Sequence, residues 1–198
     1  MDDGTDKPLK TANRLHGDPD PQTLVERMIR VDHAGEYGAA RIYQGQLAVL
    51  GDRPVGDTIR AMAAQEQQHL DTFDRLVVER RVRPTVLTPV WHVAGYALGV
   101  ATAMMGERAA MACTVAVEEV IEQHYARQSA LLGEDETELR EVIDECRRDE
   151  IEHKTIGLDH LGVDDGVDDS GASATAYPVL SQAIKSGSRL AIWLSSRL

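Results

Sequence analysis

Two copies of a Glu-x-x-His motif are the residues of this chain whose types and spacing are best suited to chemistry. The first copy runs from Glu66 to His69 and the second from Glu150 to His153. Residues three apart on an α-helix differ by roughly 60° in direction, so both side chains of one copy can reach the same ligand. A carboxylate paired in this way with a neutral imidazole is typical of a site that binds a divalent metal ion.

Two further glutamates extend the motifs into an internal repeat. Glu36 precedes the first copy, and Glu118 precedes the second at nearly the same distance. Each half of the chain is therefore predicted to be a helical hairpin, with one Glu on its first helix and Glu-x-x-His on its second. The repeat is more specific than the short motif, because a chain rich in Glu contains Glu-x-x-His by chance.

Hydrophobic periodicity indicates that these polar groups point into the core. Glu66 and His69 interrupt the apolar stripe of their helix, and the other motif and the two single glutamates interrupt theirs in the same way. Buried carboxylates cost several kcal/mol each unless positive charge meets them. No arginine falls on these stripes at the same level, so two divalent cations are the expected partners. The predicted ligands are Glu36, Glu66, His69, Glu118, Glu150 and His153.

The residues that follow Glu118 leave alternatives open. Glu122 lies on the same stripe and is either a competing fourth carboxylate ligand or a neighbour of the ligands. His124 and Tyr125 are candidates to orient ligands or to relay protons or electrons, and a Tyr125 that simply packs in the core is the alternative for that residue. An oxygen-rich site with one imidazole per metal favours iron or manganese over zinc.

The elements that must position these residues are predicted to be helices throughout. Alternation typical of strands is absent and only 4% of the residues are aromatic, so the fold is assigned to the all-α class. The expected architecture is a ferritin-like four-helix bundle with additional membrane-facing helices, formed by a single domain over residues 20–198 behind a disordered tail at 1–19. The first two predicted helices cover residues 20–50 and 57 to about 82. The third starts in the stretch 84–106 and ends at residue 132, and the fourth covers residues 137–161. A loop at 162–174 then leads to a last helix at 177–198.

Composition argues against several classes of protein. The formal net charge of −12 disfavours a nucleic-acid partner, because the phosphate backbone would be repelled. Cys113 and Cys146 cannot form a disulfide framework and fit a reducing compartment. The first residues lack an apolar leader, so we expect an intracellular chain or a processed one.

An uncharged stretch indicates contact with a membrane. Residues 84–106 contain no Asp, Glu, Lys or Arg. A spanning helix needs about 20 strongly apolar residues, and Gly95, Gly99, Gly106 and the nearby prolines weaken this stretch as a span. We expect it to lie in the membrane interface beside the basic, amphipathic segment 177–198. An ordinary buried helix or an oligomer interface is the alternative.

Longer runs around the motifs resemble the demethoxyubiquinone hydroxylase family. They are RVDHAGEYGA at 30–39, ACTVAVEE at 112–119 and the residues from Glu150 to His160, and the resemblance extends from about residue 24 to the C-terminus. It implies a membrane-associated di-iron monooxygenase of ubiquinone biosynthesis, which hydroxylates the ring of a polyprenylated quinone intermediate with O₂. The family's ligands, carried over by position, are the same six residues, and the resemblance implies that they hold two iron ions.

The resemblance also implies a location and partners. Peripheral attachment is expected at the cytoplasmic face of a bacterial inner membrane or, for a processed chain, at the matrix side of the mitochondrial inner membrane. The expected partners are the quinone, O₂, the lipid surface and either a second copy or another protein of ubiquinone biosynthesis. The alternative function is a ferritin- or rubrerythrin-like ferroxidase or iron-handling bundle. The uncharged stretch argues against a storage shell, and two isolated cysteines cannot build the four-Cys iron site of a rubrerythrin.

Overall fold

The computed structural model describes residues 19–162 and 177–198, and within them it contains helices and no strands. The predicted tail, up to residue 18, and the predicted loop from residue 163 lie outside the described residues. The prediction of an all-α class is confirmed. The helices are α1 (Pro21–Leu50), α2 (Gly56–Glu79), α3 (Thr88–Met104), α4 (Glu107–Ser129), α5 (Thr137–Leu161) and α6 (Pro178–Ser195), with a 3₁₀ turn at Glu134–Glu136 before α5.

Local capping chemistry fixes the ends of the long helices. At the start of α1 the Asp20 side chain accepts a hydrogen bond from the Thr23 backbone N–H at 2.8 Å, and Pro21 occupies the first helical position. At the end of α5, Gly162 adopts the left-handed conformation with φ of 71°, which favours glycine. These two signals were readable in the sequence, and the predicted bounds of α1 and α5 are correct.

One predicted helix is wrong, because the structure divides it in two. The sequence analysis joined the uncharged stretch to the helix that bears Glu118, whereas α3 ends at Met104 and α4 begins at Glu107. Gly106 separates them with φ of 110°, a conformation that only glycine adopts readily. The second helix is also shorter than predicted, since α2 ends at Glu79 and Arg81 has φ of 53°.

The bundle consists of two hairpins, α1–α2 and α4–α5, whose helices pack along their length. Two apolar clusters fill its ends. One contains Ile29, Phe73 and Ile143, and the other contains Ile59 and Met111. On each of the four helices the predicted polar ligands lie between a residue of the first cluster and a residue of the second. Their heights therefore agree, and the polar groups form one layer across the middle of the bundle.

The remaining helices, α3 and α6, pack against one side of this bundle. Helix α3 lies on α1 so closely that a Cβ atom at Gly99 would overlap the backbone oxygen of Ile42, and one at Gly45 would overlap that of Tyr96. The glycines of the uncharged stretch thus allow two helix backbones to approach. Helix α6 contacts α4 and α1. Among the described helices, none has both the length and the apolarity that a bilayer crossing requires.

Candidate metal centre

The middle layer of the bundle brings the predicted ligands together as two overlapping groups. Within each group, one possible ligand atom from every residue lies within 4.8 Å of the others. Glu66 and Glu150 belong to both groups, so they join the two halves of the centre. All members are buried. The first group is Glu36, Glu66, His69 and Glu150, and the second is Glu66, Glu118, Glu150 and His153.

The atoms that face the centre of this layer lack hydrogen-bond partners. Both carboxylate oxygens of Glu66 and Glu150 are buried without a partner, as are Nδ1 of His69 and of His153. One carboxylate oxygen of Glu36 and one of Glu118 are also buried without a hydrogen-bond partner. An unpaired buried polar atom costs about 1–3 kcal/mol, and more when it is charged. Divalent cations would satisfy all these atoms at once, so the residues present fit a metal centre.

Electrostatics lead to the same conclusion. Burial, and then the charge of Glu150, raises the pKa of Glu66 and that of Glu118 above the ordinary value of 4.5. Burial alone would lower the pKa of His69, but the carboxylates of Glu150 and Glu36 raise it to about 12. In the part of the chain that the structure describes, none of the lysine or arginine ion pairs reaches this cluster. The positive charge that the carboxylates require must come from protons or from bound metal.

Each histidine is oriented by a residue on the opposite hairpin. Nε2–H of His69 donates to Oδ2 of Asp149, and Nε2–H of His153 donates to Oε1 of Gln65, both at 2.9 Å. Nδ1 of each ring therefore faces the centre, as the binding atom of a metal ligand must. Gln65 and Asp149 were not among the residues predicted from the sequence. The signal was present, because each directly precedes the Glu of a Glu-x-x-His motif.

Two tyrosines extend the repeat. The hydroxyl of Tyr43 donates to Oε1 of Glu118 at 2.8 Å, and the hydroxyl of Tyr125 donates to Oε1 of Glu36. Both tyrosines are about 1% exposed, and each lies two helical turns after the Glu of its own hairpin. Tyr125 was a candidate from the sequence, whereas Tyr43 was not. The signal that could have identified Tyr43 was its position in the repeat, because Tyr43 follows Glu36 at the same spacing as Tyr125 follows Glu118.

The other sequence candidates lie outside the cluster of ligand atoms. Glu122 accepts hydrogen bonds from Arg147, the shorter at 2.8 Å, so of the two competing carboxylates the structure brings Glu118 into the layer. His124 lies beside Tyr125, with Nε2 at 3.3 Å from the buried carboxylate of Asp32. Asp32 was not predicted, although it lies one turn before Glu36 on the same stripe.

An apolar cavity of about 540 Å³ lies between the bundle and the added helices. It is bounded by α1, α3, α4 and α6. Its wall includes Gly35 and Val117, which are the sequence neighbours of Glu36 and Glu118. The cavity thus borders the carboxylate side of the centre, and its other lining residues include Trp91, Leu98, Leu180 and Ile184. The lining suits an apolar ligand.

Comparison with known proteins gives consistent similarities over most of the chain. A "3-demethoxyubiquinol 3-hydroxylase" of Rhodospirillum rubrum is 55% identical over 191 residues, which covers 96% of this chain and 86% of that protein. The human "NADPH-dependent 3-demethoxyubiquinone 3-hydroxylase, mitochondrial" is 52% identical over 89% of this chain and 79% of that protein. The "5-demethoxyubiquinone hydroxylase, mitochondrial" of Saccharomyces cerevisiae is 38% identical over 88% of this chain and 78% of that protein.

A family model gives the same assignment. The model described as "Ubiquinone biosynthesis protein COQ7" matches residues 23–195, a range that includes nearly all of α1 and all of the other helices described. The resemblance read from the sequence motifs is confirmed, and so is the ferritin-like helical bundle. The chain belongs to the COQ7 family of ubiquinone biosynthesis proteins.

Proposed function

We propose that this protein is a metal-dependent monooxygenase of ubiquinone biosynthesis that hydroxylates the ring of a demethoxyubiquinol or demethoxyubiquinone intermediate with O₂. The names of its relatives support the reaction. The structural observation on which the proposal rests is the pair of buried Glu/His groups whose inward atoms have no hydrogen-bond partner, next to an apolar cavity. The reaction replaces one ring C–H bond by C–OH, and the second oxygen atom leaves as water. It requires two electrons and two protons besides O₂.

The metal centre is proposed to hold two iron ions, one in each group of ligands. Glu36 and His69 would belong to one ion, Glu118 and His153 to the other, and Glu66 and Glu150 to both. An oxygen-rich donor set with a single imidazole on each side suits iron or manganese. When bound, the metal supplies the redox chemistry that makes O₂ reactive.

The protein's own residues hold this centre in shape and control its protons. The Tyr43 and Tyr125 hydroxyls keep one oxygen of Glu118 and one of Glu36 hydrogen-bonded, so each of these carboxylates has a single oxygen free. Burial raises the pKa of Tyr125 well above its ordinary value, so its hydroxyl keeps its proton and donates. The apolar clusters above and below the layer exclude water from the reacting groups.

The apolar cavity is the proposed quinone site. Its wall adjoins Glu36 and Glu118, so a ring placed there would lie beside the metal centre. A polyprenyl tail could extend between α3 and α6, whose residues line the rest of the cavity. A ferroxidase or iron-storage bundle has no need of such a cavity, so this observation favours quinone hydroxylation over the alternative function.

Attachment to a membrane surface is part of the proposal. Large apolar side chains are exposed on α3 and α6, including Val93 at 67% and Trp193 at 52%. A lipid surface would cover them and would supply the quinone beside the cavity. The proposed location is peripheral, on the cytoplasmic face of a bacterial inner membrane or the matrix face of a mitochondrial one. A second copy of the chain or another protein of ubiquinone biosynthesis on the same surface is the alternative occupant.

Flotation with liposomes tests this attachment. The double variant Val93→Asp, Trp193→Asp should lose vesicle binding and keep its folding transition, because both residues are exposed. Val78→Asp on α2 is the matched control, since Val78 is 76% exposed on a helix that does not line the cavity. Equal binding by both variants would refute the membrane role and leave the oxygen chemistry untouched.

Product analysis tests the reaction itself. Iron-reconstituted protein supplied with a demethoxyubiquinol, O₂ and a chemical reductant should form the hydroxylated quinol, detected by mass spectrometry with ¹⁸O₂. Glu150→Ala removes a carboxylate shared by both ligand groups and should abolish iron uptake and product. Glu152→Ala on the same helix is the control, because Glu152 is exposed. Protein that holds iron and forms no product would contradict the proposed reaction.

A further inference from the structure

The two histidines of the centre donate to different kinds of partner. Nε2–H of His69 donates to a carboxylate oxygen of Asp149, whereas Nε2–H of His153 donates to the amide oxygen of Gln65. The two hydrogen bonds have the same length, 2.9 Å. Asp149 and Gln65 also occupy equivalent positions of the repeat. One imidazole is therefore paired with an acidic group and the other with a neutral amide.

The tyrosine contacts and the shared glutamates of the centre are matched between the two halves. Glu36 and Glu118 each accept from a tyrosine, and Glu66 and Glu150 belong to both groups. The hydrogen-bond partner of Nε2 is a difference between the halves that acts directly on a ligand. A carboxylate that accepts the Nε2 proton polarises the ring and makes Nδ1 a stronger donor, and a neutral amide does so less.

We propose that the two metal subsites are unequal and that the subsite of His69 binds the first divalent cation, with Asp149 as the positioning residue that strengthens it. The inference rests on the metal centre of the proposed function and does not depend on the hydroxylation reaction. Asp149 contacts the centre through its hydrogen bond to His69. Its side chain is 31% exposed, so the isosteric Asp149→Asn substitution removes the acidic group and leaves the core packing unchanged.

Titration of the metal-free protein with Mn²⁺, followed by electron paramagnetic resonance, tests the inference. At one equivalent the wild type should give the signal of isolated Mn²⁺, and at two equivalents the signal of a spin-coupled pair. Asp149→Asn should weaken the first step by about tenfold or more. Glu36→Gln should remove the tight step and Glu118→Gln the weak one, because each of these residues belongs to one group only.

Gln65→Glu is the matched variant for the second histidine. It gives His153 an acidic partner and should tighten the second step, which keeps the inference testable if Asp149→Asn does not fold. A coupled signal alone at one equivalent of Mn²⁺ would overturn the inference, as would an unchanged ratio of the two affinities in both variants. Two equal sites would leave the proposed function standing. A protein that takes up no Mn²⁺ would overturn the metal centre as well.

Discussion

Two glycines in the middle of α1 permit a sharp test of the quinone site. Gly35 and Gly38 line the cavity, and a Cβ atom added at either would meet no other atom within 4 Å. Glycine within a helix is less stable than alanine by about 0.5–1 kcal/mol. The double substitution Gly35→Ala, Gly38→Ala should therefore stabilise the fold by about 1–2 kcal/mol, which raises the Tm by roughly 2–8 °C for a domain of this size.

The same two methyl groups should weaken quinone binding. They would project into the space beside Glu36, and overfilling a well-packed site costs about 1–3 kcal/mol. Since 1.4 kcal/mol corresponds to about tenfold, the Kd of a short-chain quinone should rise about 5- to 150-fold. Calorimetry in detergent measures this, with iron content as a check on the metal centre. A variant with a raised Tm and unchanged quinone affinity would show that the ring does not bind in this cavity.

Three further predictions follow from the same geometry. Gly99→Ala should lower the Tm, the reverse of the change at Gly35, because its Cβ would overlap the Ile42 carbonyl; a thermal melt measures the sign. Tyr43→Phe leaves a buried oxygen of Glu118 without its donor and should destabilise the protein by about 1–3 kcal/mol, measured by urea unfolding. Burial raises the pKa of Glu66 above 4.5, so the contribution of Glu66 to the stability of the metal-free fold is fully present below pH 4.5 and is lost as the pH rises through the pKa of the folded state. Mn²⁺ binds the ionised carboxylates, so the increase in Tm that it produces should grow with pH above 4.5, and a constant increase would contradict the assigned ligands.

The sequence predicted the core of the centre because helical periodicity places side chains on a known face. Glu66 and His69 fall on the buried stripe of α2, and the hairpin lengths bring the other ligands to the same height. The break at Gly106 was missed since no proline marks it, and a positive φ leaves no signal in hydrophobic periodicity. The contacts of Gln65 and Asp149 depend on how the two hairpins are rotated against each other. That rotation follows from packing across the whole bundle, which local patterns do not encode.

The added helices make the two sides of a nearly symmetric centre different. The histidines and their partners come from α2 and α5, whereas the apolar cavity is bounded by α1, α3, α4 and α6. A quinone in this cavity would therefore approach the centre from the side of Glu36 and Glu118, and the imidazoles would remain on the far side. Glu36 and Glu118 each have one oxygen hydrogen-bonded to a tyrosine and one oxygen without a hydrogen-bond partner. A carboxylate with a free oxygen can change its mode of coordination while its hydrogen bond holds it in place, and an imidazole fixed at Nε2 cannot. With a quinone in the proposed site, Glu36 and Glu118 would thus be adaptable ligands next to the ring, whereas the two imidazoles would be rigid ligands on the far side of the centre.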